Sequence, residues 1–160
     1  MIALALPEIK ETMNRLLLSD TFDTFFFEEA EIRKDYTVHL DGICHAEYFE
    51  GEAMQADSHV LYESMRPHIL HHMKGKHVPL LFKLTLGVEA EAAKERFFRG
   101  IEALTPGIAA FLIQIRYDAH GMQLITGVSY ASFQPDKTLE KEWDRSIKEF
   151  LRAQQIVFEE

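Results

Sequence analysis

The sequence predicts an α+β fold, a largely antiparallel sheet of five or six strands with helices packed mainly on one face. Three observations predict it. Apolar and polar residues alternate over Tyr36–Asp41 and Leu80–Val88, the period-2 pattern of strands with one buried face. Other stretches repeat their apolar residues at helical spacing. The resulting order, αββαβαββα, lacks the regular strand-helix alternation of a parallel doubly wound sheet.

Pro7 suits a helix start, and Ile9, Met13, Leu16 and Leu17 follow at helical spacing, so a helix is expected at about 8–18. Phe22, Phe25, Phe26 and Phe27 suggest a strand over Phe22–Ile32 with one well-buried stretch. The strand Tyr36–Asp41 ends at Gly42, the pattern resumes over Ile43–Phe49, and 51–58 reads as loop. From His59 to Met73, Leu61, Met65, Ile69 and Met73 repeat every four residues. Pro67 interrupts this stripe and predicts a kink or two short helices, with Gly75 as the stop.

A long strand follows, with Leu80, Phe82, Leu84, Leu86 and Val88 on one face. Ala93, Phe97, Ile101 and Leu104 mark the inner stripe of a helix ending before Thr105-Pro106-Gly107. Ala109–Tyr117 and Met122–Phe133 form a hairpin around Asp118–Gly121, where glycine supplies a positive φ. The last helix, about 139–155, turns Leu139, Trp143, Ile147, Phe150 and Leu151 inward, with Asp136 or Thr138 at its start. The expected common core is Phe22, Phe26, Val38, Leu40, Phe82, Leu84, Ile113, Ile115, Val128, Trp143, Ile147 and Phe150.

The 160 residues, 47% hydrophobic and 27% charged, suffice for one domain spanning 1–160 and exclude a disordered chain. Cys44 is the single cysteine, which excludes an internal disulfide and predicts a reducing, cytoplasmic setting. The apolar start Met1–Leu6 has no basic leader, and no run approaches the roughly 18 apolar residues of a membrane helix, so neither a signal peptide nor a membrane span is expected. The net charge of −9 makes nucleic acid an unlikely partner.

That charge is segregated along the chain. Residues 20–63 carry twelve carboxylates against Arg33 and Lys34, whereas 64–88 carry none. The second stretch holds Arg66, Lys74, Lys76 and Lys83 with His68, His71, His72 and His77. Such asymmetry steers an anionic partner to one region or holds two regions of the fold together.

Two candidate sites follow. His68 and His72, four apart on a helix, face the same way and could reach one metal ion, although they equally suit boundary positions beside the apolar stripe. Arg66, Lys74, Lys76 and His77 could meet a phosphate or other anion at a helix-to-strand turn, where Gly75 lets the backbone approach closely. A lysine-rich helix end favoured by the helix dipole explains the same residues. Cys44 and His45, as neighbours on a strand, would point to opposite faces and form no thiolate pair, and Cys44 reads as a buried small hydrophobe. The acidic pairs Glu28-Glu29 and Glu140/Glu142 read as exposed.

No phosphate loop, GxGxxG, GxSxG, HExxH or CxxC motif occurs, so no cofactor is implied. The stretches LLLSDTFDTFFFEEAEI (16–32), HLDG (39–42) and RPHILHHMKGKHVPLLFKLTL (66–86) resemble an uncharacterised bacterial family described only as a domain of unknown function. The resemblance covers most of the chain and implies a stand-alone cytoplasmic protein, with no activity, cofactor or site residue to carry over.

The expectation is therefore a non-enzymatic cytoplasmic binding or interaction module. The alternative is a metal-dependent or phosphate-recognising enzyme using residues 66–83. Long strands that need edge protection, and apolar residues such as Leu81, Ile125, Phe133 and Phe25 on the polar phase, point to a homodimer as the probable homo-oligomer. The small-molecule ligand is left unassigned.

Overall fold

The computed structural model describes residues 1–49, 59–98, 100, 107–133 and 135–160. Its strands are β1 (Ala3–Ala5), β2 (Phe26–Arg33), β3 (Thr37–Asp41), β4 (Leu81–Glu89), β5 (Ile108–Asp118) and β6 (Gly121–Tyr130). They form one antiparallel sheet in the order β1-β6-β5-β4-β2-β3. The helices are α1 (Ile9–Leu17), α2 (Tyr62–Met73), α3 (Ala90–Arg96) and α4 (Thr138–Ala153). The expected α+β class is what the structure shows.

Register explains why one face is buried. Leu4, Leu124, Ile115, Leu84, Ala30 and Leu40 pair in one row across all six strands. The next row, Ala3, Ile125, Gln114, Thr85, Glu29 and Asp41, points the other way, because successive strand side chains alternate between faces. The apolar row joins Leu16, Tyr62, Ile69, Ala93, Trp143, Ile147 and Leu151 from the four helices in a single core. Trp143 lies at its centre, its ring 5.3 Å from Phe97 and 5.4 Å from Phe111. The indole Nε1 donates to the Leu112 carbonyl at 2.9 Å, so this deep ring leaves no orphaned donor.

Phe26 departs from the expected core. It is buried, but on the opposite face of the sheet, where it stacks on His59 at 4.8 Å. Phe27 enters the core instead, next to a bulge between Phe27 and Glu29. Gly87, paired with Phe26, makes this possible: a Cβ there would lie 2.3 Å from the Phe26 ring and 2.8 Å from Leu112. Val38, Leu40, Val128 and Phe150 are half-buried at the margins of the core.

Several boundaries differ from the sequence reading, each for a local reason. β1 was not anticipated, being three residues long and too short for a period. Phe22 and Phe25 reach the core from a turn before β2, each ring 5.6 Å from Phe150. Ile43 makes only a bridge to His59, and Ala46–Phe49 form a short 3-10 helix rather than a continued strand. α2 runs through Pro67 as one helix, since the carbonyl deprived of its partner, four residues back at Glu63, belongs to an exposed first-turn residue. α3 ends at Arg96, and Ile101 and Leu104 lie outside the described residues. β6 stops at Tyr130, leaving Phe133 exposed. At the hairpin, Gly121 has φ 118°, as expected.

The edge strand β1 is tied to α4. The Met1 ammonium meets Glu140 at 2.8 Å and Asp144 at 3.3 Å, while the Ile2 amide donates to Thr126 Oγ1 at 3.0 Å. The ammonium hydrogen bond, followed by one from the Tyr130 hydroxyl, holds the Glu140 carboxyl down at about 2 against an ordinary 4.5. A carboxyl lowered by folding stabilises the fold above its unfolded value, and that contribution fades as pH falls from about 4.5 towards 2. Glu140→Gln should therefore cost about 1 kcal/mol at pH 7, and the gap from wild type should close on acidification in denaturant titrations. Gly87→Ala should cost about 1–3 kcal/mol by overpacking, and less when combined with Phe26→Leu.

Candidate functional site

α1 buries Thr12, Leu16 and Leu17 against the core. Its neighbouring face carries Ile9, Lys10, Met13, Asn14, Leu17 and Leu18, positions that recur at helical spacing and form one wall of a groove. Leu70 and Met73, from the last turn of α2, form the other wall with the turn Lys74–Pro79, and Tyr117 of β5 closes one side. The cavity measures about 550 Å³, within the roughly 300–1,000 Å³ of small-molecule sites. Leu18 and Val78 at its rim are 62% and 69% exposed, unusually high for large apolar side chains beside a cleft.

The turn is fixed at both ends. The Lys74 amide closes α2 on the Leu70 carbonyl at 3.1 Å, and the Leu80 amide donates to the Arg33 carbonyl at 2.7 Å. Lys34 reaches across from the loop between β2 and β3 and donates from Nζ to the Lys74 carbonyl at 2.8 Å, placing positive charge at the carboxyl end of α2. Gly75 leaves room for this, since a Cβ there would meet Lys34 Nζ at 3.1 Å. A second cavity of about 460 Å³ lies on the far side of the turn, beside Lys34, Asp35 and Leu80.

Lys74, Lys76 and His77 are exposed on the turn, and Lys10 is exposed on α1. Among the described residues, Lys10, Lys74 and Lys76 make no ion pair and no carboxylate lines the groove. Its charged groups are therefore all cationic, in a chain of net charge −9. The arrangement can hold an anion beside an apolar floor.

Arg66, expected alongside these lysines, does not line the groove. It forms a two-pronged ion pair with Asp23, Nε to Oδ1 and Nη2 to Oδ2 both at 2.9 Å. The hydrogen bond to Asp23 raises the guanidinium further above its ordinary value. Beside it Tyr62 donates to the Leu16 carbonyl at 2.9 Å, and burial pushes its phenol well up. This cluster pins the first half of α2 to the segment before β2 and to α1.

His68 is exposed and His72 half-buried on the same helix. The His72 ring packs on Tyr36 at 6.4 Å and His71 at 5.3 Å, and its buried Nδ1 has no hydrogen-bond partner among the described residues. Among those residues no group of three His, Cys, Asp or Glu side chains is placed to hold a metal ion. Elsewhere, burial followed by the charge of Glu29 raises the carboxyl of Glu28, while His59 opposes the shift.

The α1 wall was missed in the sequence. Its one signal is the run Leu16-Leu17-Leu18, wider than a single buried stripe requires.

The class defined here is a two-layer α+β fold, one antiparallel sheet covered by helices, with a cationic apolar cleft. The chain matches a family of unknown function (DUF5721) over residues 15–159 and belongs to it. No curated protein and no solved structure matches. Among the described residues no helix is long and apolar enough to cross a membrane.

The ion pair and the free lysines should respond differently to mutation. Asp23→Ala leaves the half-buried Arg66 uncompensated and should cost about 3 kcal/mol. Lys76→Ala should stay within about 0.5 kcal/mol of wild type, both read by urea denaturation.

Proposed function

We propose that this protein is a non-enzymatic binding module of the bacterial cytoplasm, and that its groove between α1 and the turn 74–79 takes an apolar ligand bearing negative charge. The observation that carries this reading is the lining itself: aliphatic walls, Lys10, Lys74 and Lys76 as the charged groups with His77 beside them, and no carboxylate among the described residues. A cleft of one sign collects ions of the other. The phosphate-recognising alternative enters the same groove as a choice of anionic head. Among the described residues, the metal-dependent one has no third ligand beside His68 and His72 to favour it.

The single buried Cys44 supports a reducing compartment. The same reading makes the protein a homodimer through the sheet face opposite the four helices, where Leu112 and Ile125 lie half-buried outside the core shared with the helices.

Anilinonaphthalene sulfonate, an anionic apolar dye, tests the groove. Saturable fluorescence at one dye per chain is expected, with loss of that signal when Met13→Trp fills the cleft. Unchanged dye binding by a folded Met13→Trp protein would sink the proposal. Light scattering after gel filtration should give twice 18.5 kDa across a tenfold dilution, and a mass of 18.5 kDa would remove the dimer.

A further inference from the structure

We infer that the ligand of the groove is a single-chain amphiphile, a flexible alkyl chain ending in an ionised carboxylate or phosphate; this deepens the binding-module reading and rests on it. The floor points to an alkyl chain. Met13, Leu17, Leu70 and Met73 are unbranched or γ-branched side chains that adapt to an irregular aliphatic guest, and methionine is the most pliable of these. Among the described residues of the lining, Tyr117 is the one Phe, Tyr or Trp side chain, beside the imidazole of His77, so no pair of large aromatic faces is there to sandwich a base or a ring system.

The head follows from the polar groups. Lys74, Lys76 and His77 stand together on one turn, and Asn14 and the Tyr117 hydroxyl add uncharged polar groups to the lining. No carboxylate is present among the described residues to receive an amine, an ammonium or the hydroxyls of a sugar. The lysines are exposed and without ion pairs, so an anionic head meets them without displacing a protein partner and without full desolvation. Charge complementarity and an aliphatic floor thus select one occupant, with chain and charge at opposite ends. An acidic amphipathic helix or an anionic membrane would use the same charges, but the cleft's volume of about 550 Å³ matches one small guest.

The test is calorimetry on the full chain without an affinity tag, using octanoate, decanoate, dodecanoate, dodecyl phosphate and dodecanol below their aggregation limits. One site per chain is expected, with affinity rising about fourfold for each added methylene as the chain is buried. The double variant Lys74→Gln/Lys76→Gln should weaken dodecanoate about tenfold and leave dodecanol unchanged. Lys141→Gln, on the exposed side of α4, should change neither. Leu18→Glu alters an exposed rim residue and so leaves folding intact; it should abolish dodecanoate binding by placing a carboxylate at the cleft. If dodecanol binds as tightly as dodecanoate, and Met13→Trp removes both, the ionised head is wrong while the binding-module reading stands. If the dye binds in a Met13-dependent way but none of these amphiphiles does, the ligand class is wrong. Binding only to vesicles of anionic phospholipid, with no uptake of single amphiphiles, overturns the inference in favour of a membrane surface. Failure of dye and amphiphiles together removes both readings.

Discussion

Burial of the row Leu4, Leu124, Ile115, Leu84, Ala30 and Leu40 is the constraint on which the rest of this structure depends. A single apolar phase shared by six strands forces every helix onto one face, because only that face releases apolar surface from water. α1 and α2 come from distant parts of the chain and are brought side by side by this demand; Tyr62 donating to the Leu16 carbonyl marks where they touch. Near the start of β4 the helical layer ends, and the turn 74–79 must bring the chain from α2 down to the sheet. The groove is the space left there, lined by the part of α1 that the core does not use.

The segregated charge of the sequence holds regions of the fold together. Arg66 with Asp23 and Lys83 with Glu31 join the basic stretch to the acidic one, and Lys34 joins the acidic stretch to the end of α2. The pair at Asp23 is the strongest of these by geometry, being two-pronged and half-buried, whereas Lys83 and Glu31 stand 3.7 Å apart. What remains after these contacts is Lys74 and Lys76. They lie at the turn because the helix end favours cations, and among the described residues they make no ion pair.

How much was legible depended on whether a feature was local. The alternation over Leu80–Val88 could be read because β4 is a central strand, paired on both sides with one face in the core. The stripe Leu139, Trp143, Ile147 and Leu151 was equally plain, since α4 is long enough for four turns to repeat it. β1 was not, because three residues carry no period. The cluster Phe22, Phe25, Phe26 and Phe27 reads as a strand because periodicity records that side chains are apolar, not which way the backbone carries them. Two enter the core from a turn, one from the strand, and one goes to the opposite face. In the groove, Lys74, Lys76 and His77 were legible from charge segregation. Arg66 lies outside the groove because it pairs with Asp23, 43 residues away, a pairing that only the tertiary fold creates. The α1 wall stayed hidden because amphipathic spacing shows that a face is apolar, not whether a neighbour covers it.

On the proposed reading, the way the turn is held sets what kind of recognition the groove would perform. Its backbone is fixed by the Leu80 amide on the Arg33 carbonyl and by Lys34 on the Lys74 carbonyl, so the positions from which Lys74 and Lys76 project are set before a ligand arrives. Their ammonium groups are not set, since each sits on a flexible four-carbon stem without a partner. A rigid fork would demand one anion geometry; mobile point charges accept a carboxylate or a phosphate alike and discriminate by charge. Selectivity then falls to the walls, where Met13, Leu17, Leu70 and Met73 gain in proportion to the apolar area they cover. On the proposed reading, such a site would distinguish its guests by chain length and by sign of charge, and would be indifferent to the fine chemistry of the head.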